Sequence, residues 1–167
     1  MRLKRFLPSL LLLVSYQTQA TTYYVNAAAS GTNTGLNWAN AFTDPQVALS
    51  IAIPGDEVWV AAGQYKPTAT TSRTVSFVLR NGVNVYGGFA GTETSLAQRD
   101  IASNPTVLNG DIGALGDNTD NSHNVVTANN ITTNIVLDGF RIMNGYSGSI
   151  YRGGGLSATN CLGGSLL

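Results

Sequence analysis

GDEVWVAAGQYKP, residues 55–67, decides the reading of the fold. Val58, Trp59 and Val60 form a short β-prone run, with Gly55-Asp56 before it and Gly63 after it. Turn residues on both sides, and a length too short for an amphipathic helix, make the run a buried strand. Pro54-Gly55 ends whatever precedes it. The run is expected to be the first fully buried rung of a stack on which the downstream chain is laid.

Runs of the same kind follow it: Val75–Leu79, Val83–Tyr86, Thr106–Leu108, Val125–Thr127 and Ile135–Met143, the last with a bend at Asp138-Gly139. Asn81-Gly82, Gly87-Gly88 and Asn109-Gly110 punctuate them, and two polar excursions, Thr92–Asn104 and Asp111–His123, interrupt them. Val58, Val83, Val107 and Val136 lie 25, 24 and 29 residues apart. A repeat in this range predicts a solenoid, and short β-branched runs make its coil a β-helix coil. Two-residue hairpin turns between equal strands, the mark of an antiparallel barrel, are missing; a β-sandwich is the alternative architecture. The expected fold is all-β, a right-handed parallel β-helix of about four to five coils.

Upstream, Thr22–Val25 is a short β run and Asn26–Trp38 a loop that Trp38 and Phe42 would anchor. Asp44-Pro45 reads as a helix start: aspartate caps free N–H groups, and proline suits the first helical position. Val47, Ala48, Ile51 and Ala52 are expected to share a face. A helix of two turns is unstable alone. It is therefore expected to cap the open apolar end of the stack, as solenoids require.

The 167 residues fit one domain, with 11% charged residues and 19 glycines. That composition suits a turn-rich β protein. Arg2, Lys4 and Arg5, the apolar run Phe6–Val14, and Thr18 and Ala20 form a secretory leader pattern, residues 1–20, cleaved after Ala20. The apolar run is too short for a transmembrane span. The remaining segment, 21–167, loses three of nine basic residues and none of nine acids, leaving a formal charge of −3. That charge disfavours a nucleic-acid partner. The protein is expected to be exported, either secreted or held at the cell surface or outer membrane. Its single cysteine, Cys161, excludes an intrachain disulfide and reads as a small buried hydrophobe.

NWANAFTDPQVAL (37–49), GDEVWVAAGQYKPT (55–68), VYGGFAGTETSLAQRD (85–100), LNGDIGALGDNTDNSHNVV (108–126) and LDGFRIMNG (137–145) cover most of the segment after the leader. In this order they resemble exported bacterial right-handed β-helix proteins of the pectin-lyase-like superfamily, often labelled polymorphic outer-membrane-protein-like. The resemblance implies the capped N-terminal part of a surface or secreted protein whose relatives carry many more coils. Here the chain stops at Leu167, just as GGGL and TNC resemble the opening of another coil. An uncovered last coil would favour end-to-end self-association.

Chemistry-bearing residues are sparse. Asp111, Asp117 and Asp120, with Asn118 and Asn121, are candidate Ca²⁺ ligands because calcium takes carboxylate and amide oxygens. The loop lacks the glycine and closing glutamate of an EF-hand, and its side chains satisfying their own turns is the competing reading. No other cofactor is indicated. A polysaccharide lyase could draw on Asp138 with Arg141, or Arg99 with Asp100, but neither pair is a motif; the competing reading has Asp138 supporting its bend and Arg141 pointing to solvent. His123, the sole histidine, has no nucleophile elbow beside it, so no triad is formed from sequence. Trp38, Trp59, Tyr65 and Tyr86 read as core aromatics, with sugar stacking as the alternative. Gly87-Gly88 and Gly153–Gly155 are turn glycines rather than phosphate loops. With no catalytic residue assigned, the sequence supports a non-catalytic scaffold or adhesin-like segment that meets a surface polysaccharide or a host or neighbouring cell surface. The alternative is the N-terminal part of a carbohydrate-active enzyme such as a polysaccharide lyase.

Overall fold

The computed structural model describes residues 19–148 and 154–162. Most of the leader, and Gly153, lie outside them. The strands are β1 (Thr22–Val25), β2 (Glu57–Ala61), β3 (Gly63–Tyr65), β4 (Phe77–Leu79), β5 (Asn84–Phe89), β6 (Thr106–Asn109), β7 (Val126–Asn129), β8 (Leu137–Asp138), β9 (Phe140–Met143) and β10 (Leu156–Thr159). One α-helix, α1 (Pro45–Ile51), precedes β2.

The strands form three parallel sheets, ordered β1-β2-β5-β8, β3-β6-β9 and β4-β7-β10. Chain order visits the sheets in rotation, so β2-β3-β4, β5-β6-β7 and β8-β9-β10 are successive coils of a right-handed β-helix. β1 stands ahead of them on the first sheet, paired in parallel with β2. Past β1, the chain runs as loop and helix, and α1 packs on β4, β1 and β2. The helix is a cap, as expected.

Its start is the predicted one: the Asp44 side chain accepts from Gln46 N–H at 2.8 Å, with Pro45 in the first turn. Its buried face differs. Pro45, Ala48, Leu49 and Ala52 are buried, whereas Val47 and Ile51 are 37% and 46% exposed. Positions i, i+3, i+4 and i+7 make one helical stripe, and the two β-branched residues fall beside it.

The register also corrects the spacing argument. Val58 pairs with Val85, and Val85 with Leu137. Val107 lies on the second sheet, between Gln64 and Arg141. A coil has three short apolar runs, one per face, so counting runs along the sequence mistakes a change of face for a change of coil.

Inside the helix, Val58, Val60, Tyr65, Phe77, Leu79, Val85, Leu108, Val126 and Ala128 join one core with Phe42, Ala48 and Leu49 from the cap. Phe140 and Ile142 extend it from β9, while Arg141 between them is exposed. Asparagines tie the coils together at the corners. Asn81 Oδ1 accepts from Thr132 and Thr133 N–H at 2.9 and 3.0 Å, Asn84 Oδ1 from Val136 N–H at 3.1 Å, and Asn109 Oδ1 from Asn144 Nδ2 at 2.8 Å. Asn130, Asn144 and Asn160 turn the chain at positive φ, a conformation asparagine tolerates better than most residues.

Two glycines allow neighbouring coils to touch. A Cβ on Gly139 would sit 2.6 Å from the Gly87 carbonyl oxygen, and one on Gly87 would sit 2.5 Å from that of Gly139. Gly139 also has φ +81°, as does Gly116, around which nothing lies within 4 Å. Gly116→Ala should therefore lose only the left-handed conformational penalty, about 1–2 kcal/mol, whereas Gly139→Ala should lose more. Urea unfolding of the two variants measures the difference; equal losses would show that the Gly87–Gly139 approach is not limiting.

Candidate functional site

The outer face of the first sheet gathers three of the four singled-out aromatics with Arg99 and Asp138. Side chains alternate along a strand, so Val58 and Val60 face the interior and Trp59 faces out. The register stacks Tyr24 on Trp59, Trp59 on Tyr86 and Tyr86 on Asp138, one residue per coil. Trp59, Tyr86 and Phe89 form a second apolar cluster, with Tyr24, Trp38, Leu96 and Val136 packed against it. Ring centroids lie 5.7 Å apart for Tyr24–Trp59, 4.7 Å for the stacked Trp59–Phe89 pair and 4.8 Å for the edge-on Tyr24–Trp38 pair.

Two loops roof this ladder. Trp38 comes from the loop after β1, and its Nε1–H donates to the Glu93 carbonyl at 2.8 Å, 55 residues away. Glu93 organises the other loop: its carboxylate accepts from the N–H groups of Ala90, Gly91 and Thr92 at 2.6–3.0 Å. Burial pushes the Glu93 carboxyl up, but the backbone N–H donors of Ala90, Thr92, Glu93 and Gly91 outweigh it and hold the group below its ordinary value of 4.5. Farther along this loop, Arg99 lies with its guanidinium carbon 5.2 Å from the Tyr86 ring centroid. Arg99 also donates to Asp138, its ion-pair partner, and to the Gly87 carbonyl at 3.3 Å. Burial raises the Tyr86 hydroxyl pKa, with Glu57 adding to the rise and Arg99 opposing it. An open depression lined by Leu96, Ala97, Arg99, Asp100 and Ile101 lies on this side.

This arrangement revises the sequence pairings. Asp138 is partnered with Arg99, 39 residues before it, and not with Arg141, which projects to solvent from β9. Asp100 turns away from Arg99 to accept from Ala102 and Ser103 N–H and from the Ser103 hydroxyl. The Ser103 hydroxyl and then its N–H hold the Asp100 carboxyl below the ordinary range. Trp59 and Tyr86 are buried as expected, but outside the solenoid's interior. Tyr65 alone of the four singled-out aromatics enters the main core. The missed pair had one legible signal: Tyr86 and Asp138 occupy equivalent positions in the runs VYGG and LDGF.

The acidic loop lies between β6 and β7. Asp111 is 5% exposed, and its Oδ2 accepts from Gly116 N–H at 3.1 Å. Asp120 Oδ2 accepts from Ala114 N–H at 2.6 Å. Asp117 is exposed and turns back on its own loop, accepting from the Thr119 N–H and hydroxyl at 2.8 and 2.7 Å. The Thr119 hydroxyl and then its N–H hold the Asp117 carboxyl low. Asn118 belongs to the same 3₁₀ turn, Asn118–Asp120. No three of Asp, Glu, His and Cys gather as a metal site among the described residues. The set Asp111, Asp117 and Asp120 is thus not assembled, because Asp117 satisfies its own turn. Asp111 Oδ1, Asp120 Oδ1, Asn121 Oδ1 and Ser122 Oγ are buried without a hydrogen-bond partner, and they are the oxygens of this loop still open to a hard cation or to water.

His123 is half-buried, with its backbone N–H donating to the Arg73 carbonyl at 2.8 Å. Cys161 is exposed, contrary to expectation: it follows β10, and its thiol donates to the Ala128 carbonyl of the coil beneath at 3.4 Å. No helix among the described residues is long and apolar enough to cross a membrane.

Residues 29–164 match a protein-family model described as "Protein of unknown function (DUF1565)". No curated protein and no solved structure matches the chain.

Two outcomes test this geometry. Asp111→Ala removes a buried clamp and should cost about 1–3 kcal/mol in urea unfolding, while Asp117→Ala should leave the midpoint nearly unchanged; the reverse order would overturn the assignment. For Glu93, a depressed carboxyl stabilises the fold above its unfolded value, and that stability disappears as pH falls through the folded one. Glu93→Gln should therefore flatten the part of the acid limb below pH 4.5 that this group supplies, read as melting temperature against pH.

Proposed function

The chain belongs to the family of unknown function DUF1565, and from that premise we propose that it is a non-catalytic, exported scaffold segment. Its role is to start a β-helix on a secreted or surface-held protein, in the manner of an adhesin. The observation carrying this reading is the engagement of the polar side chains around the aromatic ladder. Arg99 and Asp138 hold each other, Glu93 holds its own turn, and Glu57 accepts from Trp59 Nε1–H at 2.8 Å. A lyase needs a base and a charge-stabilising group facing substrate; these groups face one another and the roof.

Export is supported by the leader pattern of residues 1–20 and by the position of β1, which begins at Thr22. The resemblance to polymorphic outer-membrane-protein-like proteins agrees with a surface location. A polysaccharide or neighbouring-cell partner suits the low charge of the segment 21–167.

Expression of the whole chain with a C-terminal tag in a Gram-negative host, followed by fractionation and incubation with a panel of polyuronates, tests both parts. The expected outcome is chain outside the cytoplasm and no unsaturated sugar product above the blank. Chain retained uncut in the cytoplasm overturns export. Release of unsaturated oligosaccharides overturns the non-catalytic reading in favour of a polysaccharide lyase.

A further inference from the structure

Asp56 is a buried carboxylate without a side-chain cation. It is 3% exposed. Its Oδ1 accepts from the Thr21 backbone nitrogen at 2.8 Å and its Oδ2 from Ile53 N–H at 2.9 Å. Among the described residues the side-chain ion pair is Arg99–Asp138, so no lysine, arginine or histidine neutralises Asp56. A buried carboxylate is normally paired with a cation, because neutral donors offset only part of its desolvation.

The atom on Oδ1 is not an arbitrary backbone nitrogen. Cleavage after Ala20, read from Thr18 and Ala20 at the leader's end, makes Thr21 the first residue. We propose that Asp56 is the receptor for the α-ammonium group that this cleavage creates. The proposal rests on the export reading.

Hydrolysis breaks the Ala20–Thr21 C–N bond. Water adds its hydroxyl to the Ala20 carbonyl carbon and a hydrogen to the Thr21 nitrogen. The resulting carboxylic acid releases its proton to solvent, and the amine takes one up. A single neutral N–H donor is thereby replaced by a cation with three donors, at a place already within hydrogen-bond distance of the carboxylate. A hydrogen bond with both partners charged is among the strongest in proteins.

The surroundings hold that nitrogen in place. The Thr21 carbonyl accepts from Glu57 N–H at 2.9 Å, and the next residue, Thr22, is in register with Glu57. Residues 19 and 20 are exposed, whereas Thr21 is half-buried. Asp56 itself is built into the joint between the cap helix and β2: its N–H donates to the Ile53 carbonyl at 3.0 Å, and its carbonyl accepts from Asn84 N–H at 3.1 Å. The cut end of the chain would thus be fastened to the turn that links the cap to the first full coil. Two unrelated observations, a cleavage pattern and a buried carboxylate, select the same nitrogen.

The test uses the chain from Thr21 to Leu167, released in vitro with a free Thr21 amine, so that it does not depend on export. Lys66 is the one lysine of that segment; Lys66→Arg leaves the α-amine as the only amine to acetylate. Acetylation keeps an N–H donor and removes the charge. It should lower the melting temperature by about 5 °C, and should have no effect when combined with Asp56→Asn. An equal drop with and without Asp56→Asn overturns the proposal. Should Asp56→Asn fail to fold, the rate of acetylation of the unsubstituted chain decides. An α-amine labelled at least tenfold more slowly in the folded than in the urea-unfolded protein supports it, and equal rates overturn it. N-terminal sequencing of the exported chain separately tests the cut: Thr21 as first residue supports the proposal, and an exported chain with another first residue overturns it while leaving the export reading intact.

Discussion

Parallel pairing between successive coils is the constraint on which the structure depends. Each strand is three to six residues long in the full coils of β2–β7 and has no partner within its own coil. Its N–H and C=O groups are satisfied only by strands one coil before and one coil after. The first coil therefore needs a closure, and the chain provides one: β1 on the first sheet, α1 across the apolar end, and Asp56 joining the two to β2. The same constraint accounts for the asparagines at the corners. Asn144, and Asn160 with Asn130, turn at positive φ and offer a side-chain amide, so each changes direction and ties two coils together in one position.

The first sheet carries apolar groups on both faces. Its inner face belongs to the main core and its outer face to the Tyr24–Trp59–Tyr86 ladder. An exposed ladder of that size would be a sticky surface. The two long loops cover it, and the Trp38–Glu93 and Arg99–Asp138 contacts hold them down. In this chain, then, the loops after β1 and β5 are structural covers, and Glu93 and Arg99 are their fixings. That agrees with a scaffold role more readily than with a substrate cleft.

The acidic loop behaves differently. Asp117 sits in an exposed turn where the Thr119 N–H and hydroxyl satisfy it. Asp111 is drawn inward because its loop is pinned into the stack at both ends, by Gly110 N–H on the Met143 carbonyl at 2.9 Å and by Ser122 N–H on the Gly110 carbonyl at 2.9 Å. The contrast between Asp111 and Asp117, two aspartates of one loop, comes from where the coil holds the loop, not from their spacing.

Much of the fold was legible in the residues themselves. Short β-branched runs, Gly and Asn punctuation, the Asp44-Pro45 cap and the Asp138-Gly139 bend all depend on local backbone preferences, and local preferences are written residue by residue. The parallel solenoid followed from them. The coil register did not, because three faces carry nearly identical apolar runs and insertions of unequal length separate them; only the pairing of Val58 with Val85 and of Val107 with Arg141 distinguishes face from coil. The site partners were equally hidden. Arg99 meets Asp138, and Trp38 meets Glu93, across 39 and 55 residues, because stacking brings separate coils to one face. Sequence thus determined the kind of rung and the punctuation between rungs. The tertiary structure alone decided which rungs lie together, since that choice is made by hydrogen bonds and packing between segments distant along the chain.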